Sequence, residues 1–282
     1  MTLPMFRRDL SVVVLGSGSK GNATWIGDGS AGVLIDCGLS TRQVFKRLAA
    51  VGLEHAPIDA VLVTHEHSDH VGGARVLCDR LRRQRGSAVP FYMTAGTLRG
   101  AHPRSRPDAV EEIVPGQPFS VRHLQVDPFS VPHDVRDPVA FRVGLDGVWA
   151  GVITDLGRPT SLVERKLATL QVAVLEFNHD QARLNEGPYP WHLKQRIRSA
   201  HGHLSNCQAG EMLAGALQAG APLRNLVLAH LSDENNTPEL ALSRCTEVLE
   251  ACGRSSDVDV VVAAQAHPTR PISVSTHDAA LR

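Results

Sequence analysis

A chain of 282 residues is long enough for one large α/β domain or two small ones. Hydrophobic residues make up 43% and charged residues 21%, which excludes global disorder and allows a sizeable core. Lys and Arg together number 29, as do Asp and Glu, so no net field steers polyanions and any nucleic-acid contact needs local basic patches.

The first strand is predicted over residues 10–15, and Gly16-Ser17-Gly18-Ser19-Lys20-Gly21-Asn22 makes a tight loop into a second over 23–26. A third strand, 32–35, ends in Asp36. Helical spacing follows in Val44, Phe45, Leu48 and Val51, with Ser40 as N-cap. The apolar run 60–63 reads as a buried strand, and the next helix is expected to place Val76, Leu77 and Leu81 on one face. Short alternating runs broken by Pro and Gly predict mainly strands from 90 to 154, with Asp146-Gly147 as a hairpin turn. A helix over 161–168, a strand over 172–177 and a polar loop come next. Ser205 and Gln208 stand as a capping box for a helix from Asn206. A strand over 226–229 leads into His230, Thr237-Pro238 opens a helix to Cys252, and a last strand spans 258–263. The pattern fades after about Val274, and the tail from about 275 is expected to be loose. Two half-sheets packed face to face with helices outside give an α/β (α+β) four-layer αβ/βα sandwich, read as one domain because no linker-like stretch interrupts it.

Five cysteines, Cys37, Cys78, Cys207, Cys245 and Cys252, form no C-x-x-C pair and fit reduced thiols in the cytoplasm. The N-terminal run lacks a signal-peptide core, and no stretch reaches the roughly 20 apolar residues of a membrane span. A cytoplasmic protein with no membrane partner is expected.

His65-Glu66-His67-Ser68-Asp69-His70 puts four good ligands in six residues directly after a buried strand. On an extended segment, residues i and i+2 point the same way, so His65 and His67 face one ion. Asp69 and His70, where the chain turns helical, face a second one. Imidazole with carboxylate suits zinc, and also manganese or iron.

The segment T-H-E-H-S-D-H resembles the signature of the metallo-β-lactamase superfamily, and later landmarks follow in the expected order: His133, Asp155 and His230, each ending an apolar run. The resemblance implies two divalent transition-metal ions, one held by His65, His67 and His133, the other by Asp69, His70 and His230. Asp155 would bridge them, Asp69 would count among the catalytic residues, and Asp36 would fix the ligand loop. Such a site accommodates a bridging hydroxide, and serves lactams, thioesters, lactones and phosphodiesters alike.

Other segments choose among these. Gly187-Pro188-Tyr189-Pro190-Trp191, Gly202-His203-Leu204-Ser205-Asn206, Asn178-His179-Asp180, Pro132-His133-Asp134 and His230-Leu231-Ser232 resemble the YycJ (WalJ) group within that superfamily. The likeness runs from about Val12 to Ala263. It implies a cytoplasmic phosphodiesterase with 5′→3′ exonuclease activity on DNA. A hydrolase of a small acyl or cyclic-phosphate compound is the alternative on the same fold, and a mainly binding or regulatory component is a third. A departing alkoxide needs a proton, so His203 is a candidate general acid, oriented by Glu176 on analogy with RNase Z. Ser19, Asn22, Asn178 and His179 are candidate substrate-binding residues, and Tyr189 and Trp191 are candidates for base stacking. Phe177 stands where the group carries a small residue, which predicts an altered pocket wall. The run Arg80-Leu81-Arg82-Arg83-Gln84-Arg85 is a candidate phosphate contact.

Overall fold

Alternation of side chains along each strand sorts this chain into layers. The computed structural model describes residues 8–276. The first sheet takes β1 (Asp9–Gly16), β2 (Ala23–Gly27), β3 (Gly32–Ile35), β4 (Ala60–Leu62), β5 (Phe91–Thr94) and β6 (Val110–Ile113). The second takes β7 (Phe119–Val121), β8 (Leu124–Ser130), β9 (Val139–Leu145), β10 (Val148–Ile153), β11 (Val172–Glu176), β12 (Asn225–Ala229) and β13 (Asp259–Val262). A last strand, β14 (Ile272–Ser275), returns to pair antiparallel with β1. In β11, Val172 and Val174 face the first sheet, while Ala173 and Leu175 face outward. In the first sheet, Val33, Ile35 and Leu62 join that same inner layer, and Leu34 and Val61 point the other way.

Helices cover both outer faces. Over the first sheet lie α1 (Thr41–Ala50), the short α2 (Ser68–Val71), α3 (Ala74–Arg85) and α4 (Ala95–Gly100). Over the second lie α5 (Ser161–Leu167), α8 (Asn206–Gln218) and α9 (Pro238–Ala251), with α6 (Gln181–Glu186) and α7 (Trp191–Arg198) between β11 and α8. This is the αβ/βα sandwich the sequence predicts. The expected punctuation is present too. Ser40 caps α1, Ser205 and Gln208 form a reciprocal capping box, Thr237 caps α9, and Asp146 and Gly147 take the paired positive φ of a two-residue hairpin.

Five expectations need correction. Val76 is 60% exposed, because the buried stripe of α3 runs through Ala74, Leu77, Cys78 and Leu81, at helical spacing that turns Val76 outward. The stretch from 90 to 154 includes α4, started by Thr94 accepting a hydrogen bond from the Thr97 N–H. The polar loop after β11 is largely the two short helices α6 and α7. Phe177 packs in the layer between the second sheet and its helices, away from any pocket wall. The fading C-terminal pattern conceals β14, and the expected loose tail lies from residue 277 outside the described residues. All five cysteines are free. Among the described residues no helix is long and apolar enough to cross a membrane.

Candidate metal centre

Strands β3 to β6 run parallel to one another, as do β10 to β13, so the C-terminal ends within each set share an edge. The polar residues gather at these ends. Asp36 follows β3, His65 lies three residues beyond the end of β4, Asp155 follows β10 and His230 follows β12. Asp36, Asp155 and His230 each turn the chain through a left-handed conformation, with φ of 61°, 58° and 55°. His67 precedes α2, which carries Asp69 and His70. Gly38 lies under this ligand loop. A Cβ there would stand 1.6 Å from the Asp69 carbonyl oxygen, so no other residue fits without moving the loop. Backbone hydrogen bonds fix the same junction: Asn22 N–H donates to Asp69 O at 2.7 Å, and Cys37 N–H to His70 O at 2.8 Å.

His65, His70, His133 and His230 each have one nitrogen occupied by the protein, leaving the other for the centre. His70 Nδ1 lies 2.8 Å from Asp36 Oδ2, and Asp36 Oδ1 accepts from the Thr64 N–H and hydroxyl. His65 Nδ1 is 3.0 Å from Thr64 Oγ1, and His133 Nδ1 is 3.1 Å from Gly202 O. His230 Nδ1 approaches Glu176 Oε1 at 3.3 Å. The inward nitrogens converge. His65 Nε2 and His67 Nδ1 are 3.1 Å apart, and His67 Nδ1 and His133 Nε2 are 3.3 Å apart. Two nitrogens bound at about 2.0–2.1 Å to a tetrahedral zinc lie about 3.3 Å from each other, so this spacing fits an ion.

Among the described residues, four groups have donor atoms mutually within 4.8 Å: His65, His67 and His133; Asp69, His70 and His230; His65, His70 and Asp155; and Asp155, Glu176, His203 and His230. Asp155 belongs to two of them, with Oδ2 at 3.2 Å from His70 Nε2 and Oδ1 at 3.7 Å from His133 Nε2 and 3.6 Å from His230 Nε2. The His70 approach lacks hydrogen-bond geometry. Asp155 Oδ2 and His230 Nε2 are therefore buried polar atoms with no hydrogen-bond partner, a condition that cations at this place would relieve. The donor set fits divalent ions.

Electrostatics divides the cluster. Burial lowers the pKa of His65, His67 and His133 despite the pull of Asp155, so these rings stay neutral and offer lone pairs. Burial would lower His70 and His230 as well. Asp155, joined by Asp36 at His70 and by Asp69 and Glu176 at His230, outweighs it, holding His70 well above the imidazole range and His230 at about 10. Asp69 is held well below the carboxylate range, burial being overcome by His230 and His70. A cation bound beside Asp69, His70 and His230 must displace the protons on these two rings, and affinity should therefore fall as pH falls. Titration calorimetry at pH 7 in two buffers of different ionisation enthalpy should record release of a proton from each of His70 and His230. Metal uptake with no net proton release would contradict this charge balance.

His203 stands beside His133 and His230, with Nδ1 2.8 Å from Glu176 Oε1. Burial would raise the Glu176 pKa, but His203 and His230 hold it down at about 2. Its Oε2 accepts from the Leu156 and Leu204 N–H groups at 2.9 and 3.1 Å. Glu176 thus orients His230 as well as His203. A cleft of about 180 Å³ opens over His203 and His230 and is also lined by Ser19, Asp134, Asn178, Tyr189 and Arg196.

The other sequence candidates divide by position. Ser19 is exposed at the cleft. Asn178 lines it, but its amide also donates to His230 O at 2.8 Å. Asn22 is buried, its amide directed to Gly18 O and Asp69 and lying 3.0 Å from His70 Nε2. His179 is buried outside the cleft lining, its Nδ1 without a hydrogen-bond partner and burial lowering its pKa to about 4. Cys37 sits in the outer apolar layer of the first sheet and in none of the donor groups. The basic run ends α3 at the far side of the sheet. Arg85 pairs with Asp59, just before the start of β4 and opposite to its His65 end, and Arg82 pairs with Asp108. Sequence reading missed Ser17, whose hydroxyl accepts the His230 N–H at 2.8 Å, and Thr64. The strand-end position of Thr64 directly before the histidine motif was the available signal; Ser17 offered none beyond its place in the Ser/Gly loop.

A family model described as a beta-lactamase superfamily domain matches residues 32–230. The exodeoxyribonuclease WalJ of Streptococcus pneumoniae is 31% identical over 233 residues, covering 81% of this chain and 84% of that protein. The exodeoxyribonuclease YycJ of Bacillus anthracis is 31% identical over 252 residues, covering 85% and 89%. Among solved structures, the metallo-β-lactamase fold protein YhfI of Bacillus subtilis superposes with a TM-score of 0.70 at 17% identity, covering 94% of this chain and all of that one.

Proposed function

Because the chain belongs to the β-lactamase superfamily and is a metal-dependent hydrolase, we propose that its substrate is DNA, shortened from an end by phosphodiester hydrolysis in the 5′→3′ direction. The exodeoxyribonuclease relatives that span most of its length support the substrate class, and the polarity follows the resemblance to their group. Donors come from both sheets, which supports reading the two halves as one catalytic unit.

The observation that carries the reaction is the placement of His203. Its Nδ1 is tied to a buried, ionised Glu176, which leaves Nε2 for a cleft shared with the donor cluster. In this reading His65, His67 and His133 would hold one divalent ion and Asp69, His70 and His230 another, with Asp155 as a carboxylate donor available to both. Zinc best suits these donors, and manganese and iron remain compatible. Ions bound there supply Lewis acidity and lower the pKa of coordinated water. The chain's own residues do the rest. Asp36 and Thr64 keep the ligand loop in register, Glu176 fixes the His203 tautomer, and His203 gives its proton to the leaving alkoxide.

End-labelled single- and double-stranded DNA, incubated with manganese or zinc, should yield small products from the 5′ end. β-Lactams and glutathione thioesters should stay intact. Cleavage should tolerate any sequence yet weaken with salt, as phosphate contacts without base readout require. Efficient cleavage of a thioester or lactone, with neither DNA nor RNA cut under any metal, would overturn the proposal in favour of a small-molecule hydrolase.

A further inference from the structure

We propose that the segment 181–198, α6 through α7, is the track on which a single DNA strand lies, with Trp191 stacking on an unpaired base and Arg183, Lys194 and Arg198 contacting backbone phosphates. The proposal rests on the nuclease reading. The cleft of about 180 Å³ is smaller than the pockets of about 300–1,000 Å³ that hold drug-sized ligands, so a polymer extends beyond it. The remainder of a strand must lie outside it. Tyr189, Leu193, Arg196 and Ile197 line the cleft, so the same segment forms its wall and its approach.

Two observations mark that approach for a stacked polyanion. Trp191 is 64% exposed at the start of α7, and the Arg198 guanidinium lies 5.1 Å from its ring centroid, fixing a large aromatic surface toward solvent. Charge compensation supplies the second. Arg82 and Arg85 are neutralised by Asp108 and Asp59, and Arg196 by Asp134. Arg183, Lys194 and Arg198 bond instead to Glu234 O, Asn185 O and Asn185 Oδ1, and none has a carboxylate partner among the described residues. Neutral acceptors position these cations without cancelling their charge, which leaves it for phosphates. An aromatic platform beside uncompensated cations is the arrangement that holds single strands without reading sequence.

The test measures binding of a fluorescent, phosphorothioate-linked oligothymidylate to the metal-loaded full chain by anisotropy. Trp191→Ala should weaken binding about tenfold or more, and Trp191→Phe should restore most of it, since stacking on a base is worth about 1–3 kcal/mol. The triple variant Arg183→Gln, Lys194→Gln, Arg198→Gln should reduce the slope of log K against log salt by about two, the value for three phosphate contacts on a single strand. Thermal melting of each variant at the wild-type temperature establishes that the fold is intact. Unchanged affinity in both the alanine and the triple variant would overturn the proposal, as would an equal loss on blunt duplex DNA or a clear preference for RNA. A wild type that binds through Trp191 but cuts no nucleic acid overturns the nuclease reading alone. A wild type that cuts DNA while the variants bind normally overturns this surface alone.

Discussion

Alanine at position 155 should cost the protein most of its bound metal and at least about 10³ of its turnover. Among the described residues, Asp155 is the one carboxylate within reach of His70, His133 and His230 together. Among the described residues, removing it leaves Asp69 and Glu176 as the acidic members of the donor groups, and His70, His133 and His230 facing one another without an anion between them. Metal assistance contributes several kcal/mol to hydrolysis, and each 1.36 kcal/mol is tenfold in rate. Elemental analysis of the purified variant checks the first part directly. Metal content equal to wild type would remove Asp155 from the bridging position, whatever happened to activity.

His203→Ala should show the opposite pattern. Its metals and melting temperature should stay near wild type, because His203 is partly exposed and its backbone N–H bonds to Ile197 O rather than to the metal cluster. Turnover of DNA should fall by roughly 10²–10⁴, the usual contribution of a positioned acid. A bis-aryl phosphate has a leaving group that departs without protonation, so its loss should be much smaller. Equal losses on both substrates would show that His203 does not protonate the leaving oxygen. Metal content must be measured in the same preparation, since His203 also lies 3.8 Å from Asp155.

The features readable from sequence were those carried by local periodicity and by local polar motifs. Val172 to Leu175 alternates between two apolar layers, and the His65 to His70 run follows a buried strand, so both were visible within a few residues. What escaped was set by contacts distant in sequence. β14 exists because Ile272 and Val274 pair with Val12 and Leu10, which no short window reveals. Helices α6 and α7 are short and rich in polar residues, and they are held by bonds such as Lys194 to Asn185 O. The basic run at the end of α3 looked free because its partners, Asp59 and Asp108, lie more than twenty positions away. Conversely, the cations beside Trp191 lie in a short helix of mixed composition, where no local run of charge marks them. Charge in a sequence is a count; whether it is available depends on what the fold places next to it.

The left-handed corners at Asp36, Asp155 and His230 restrict which mutations this site can survive. A backbone at φ near 60° costs most side chains about 1–3 kcal/mol and is visited readily only by Gly and, less so, by Asn, Asp and His. The proposed metal chemistry independently demands a carboxylate or an imidazole at Asp155 and His230, and at Asp36 the contacts to His70 and Thr64 demand an acceptor. Glycine satisfies the first demand and fails the second, while glutamate does the reverse, carrying the right charge on a residue that the corner disfavours. The intersection leaves essentially Asp and His, with Asn as a neutral compromise. Codons for Asp, Asn and His are separated by single-base changes, so drift at these corners has a short list of neighbours to sample and almost nowhere beyond it to go.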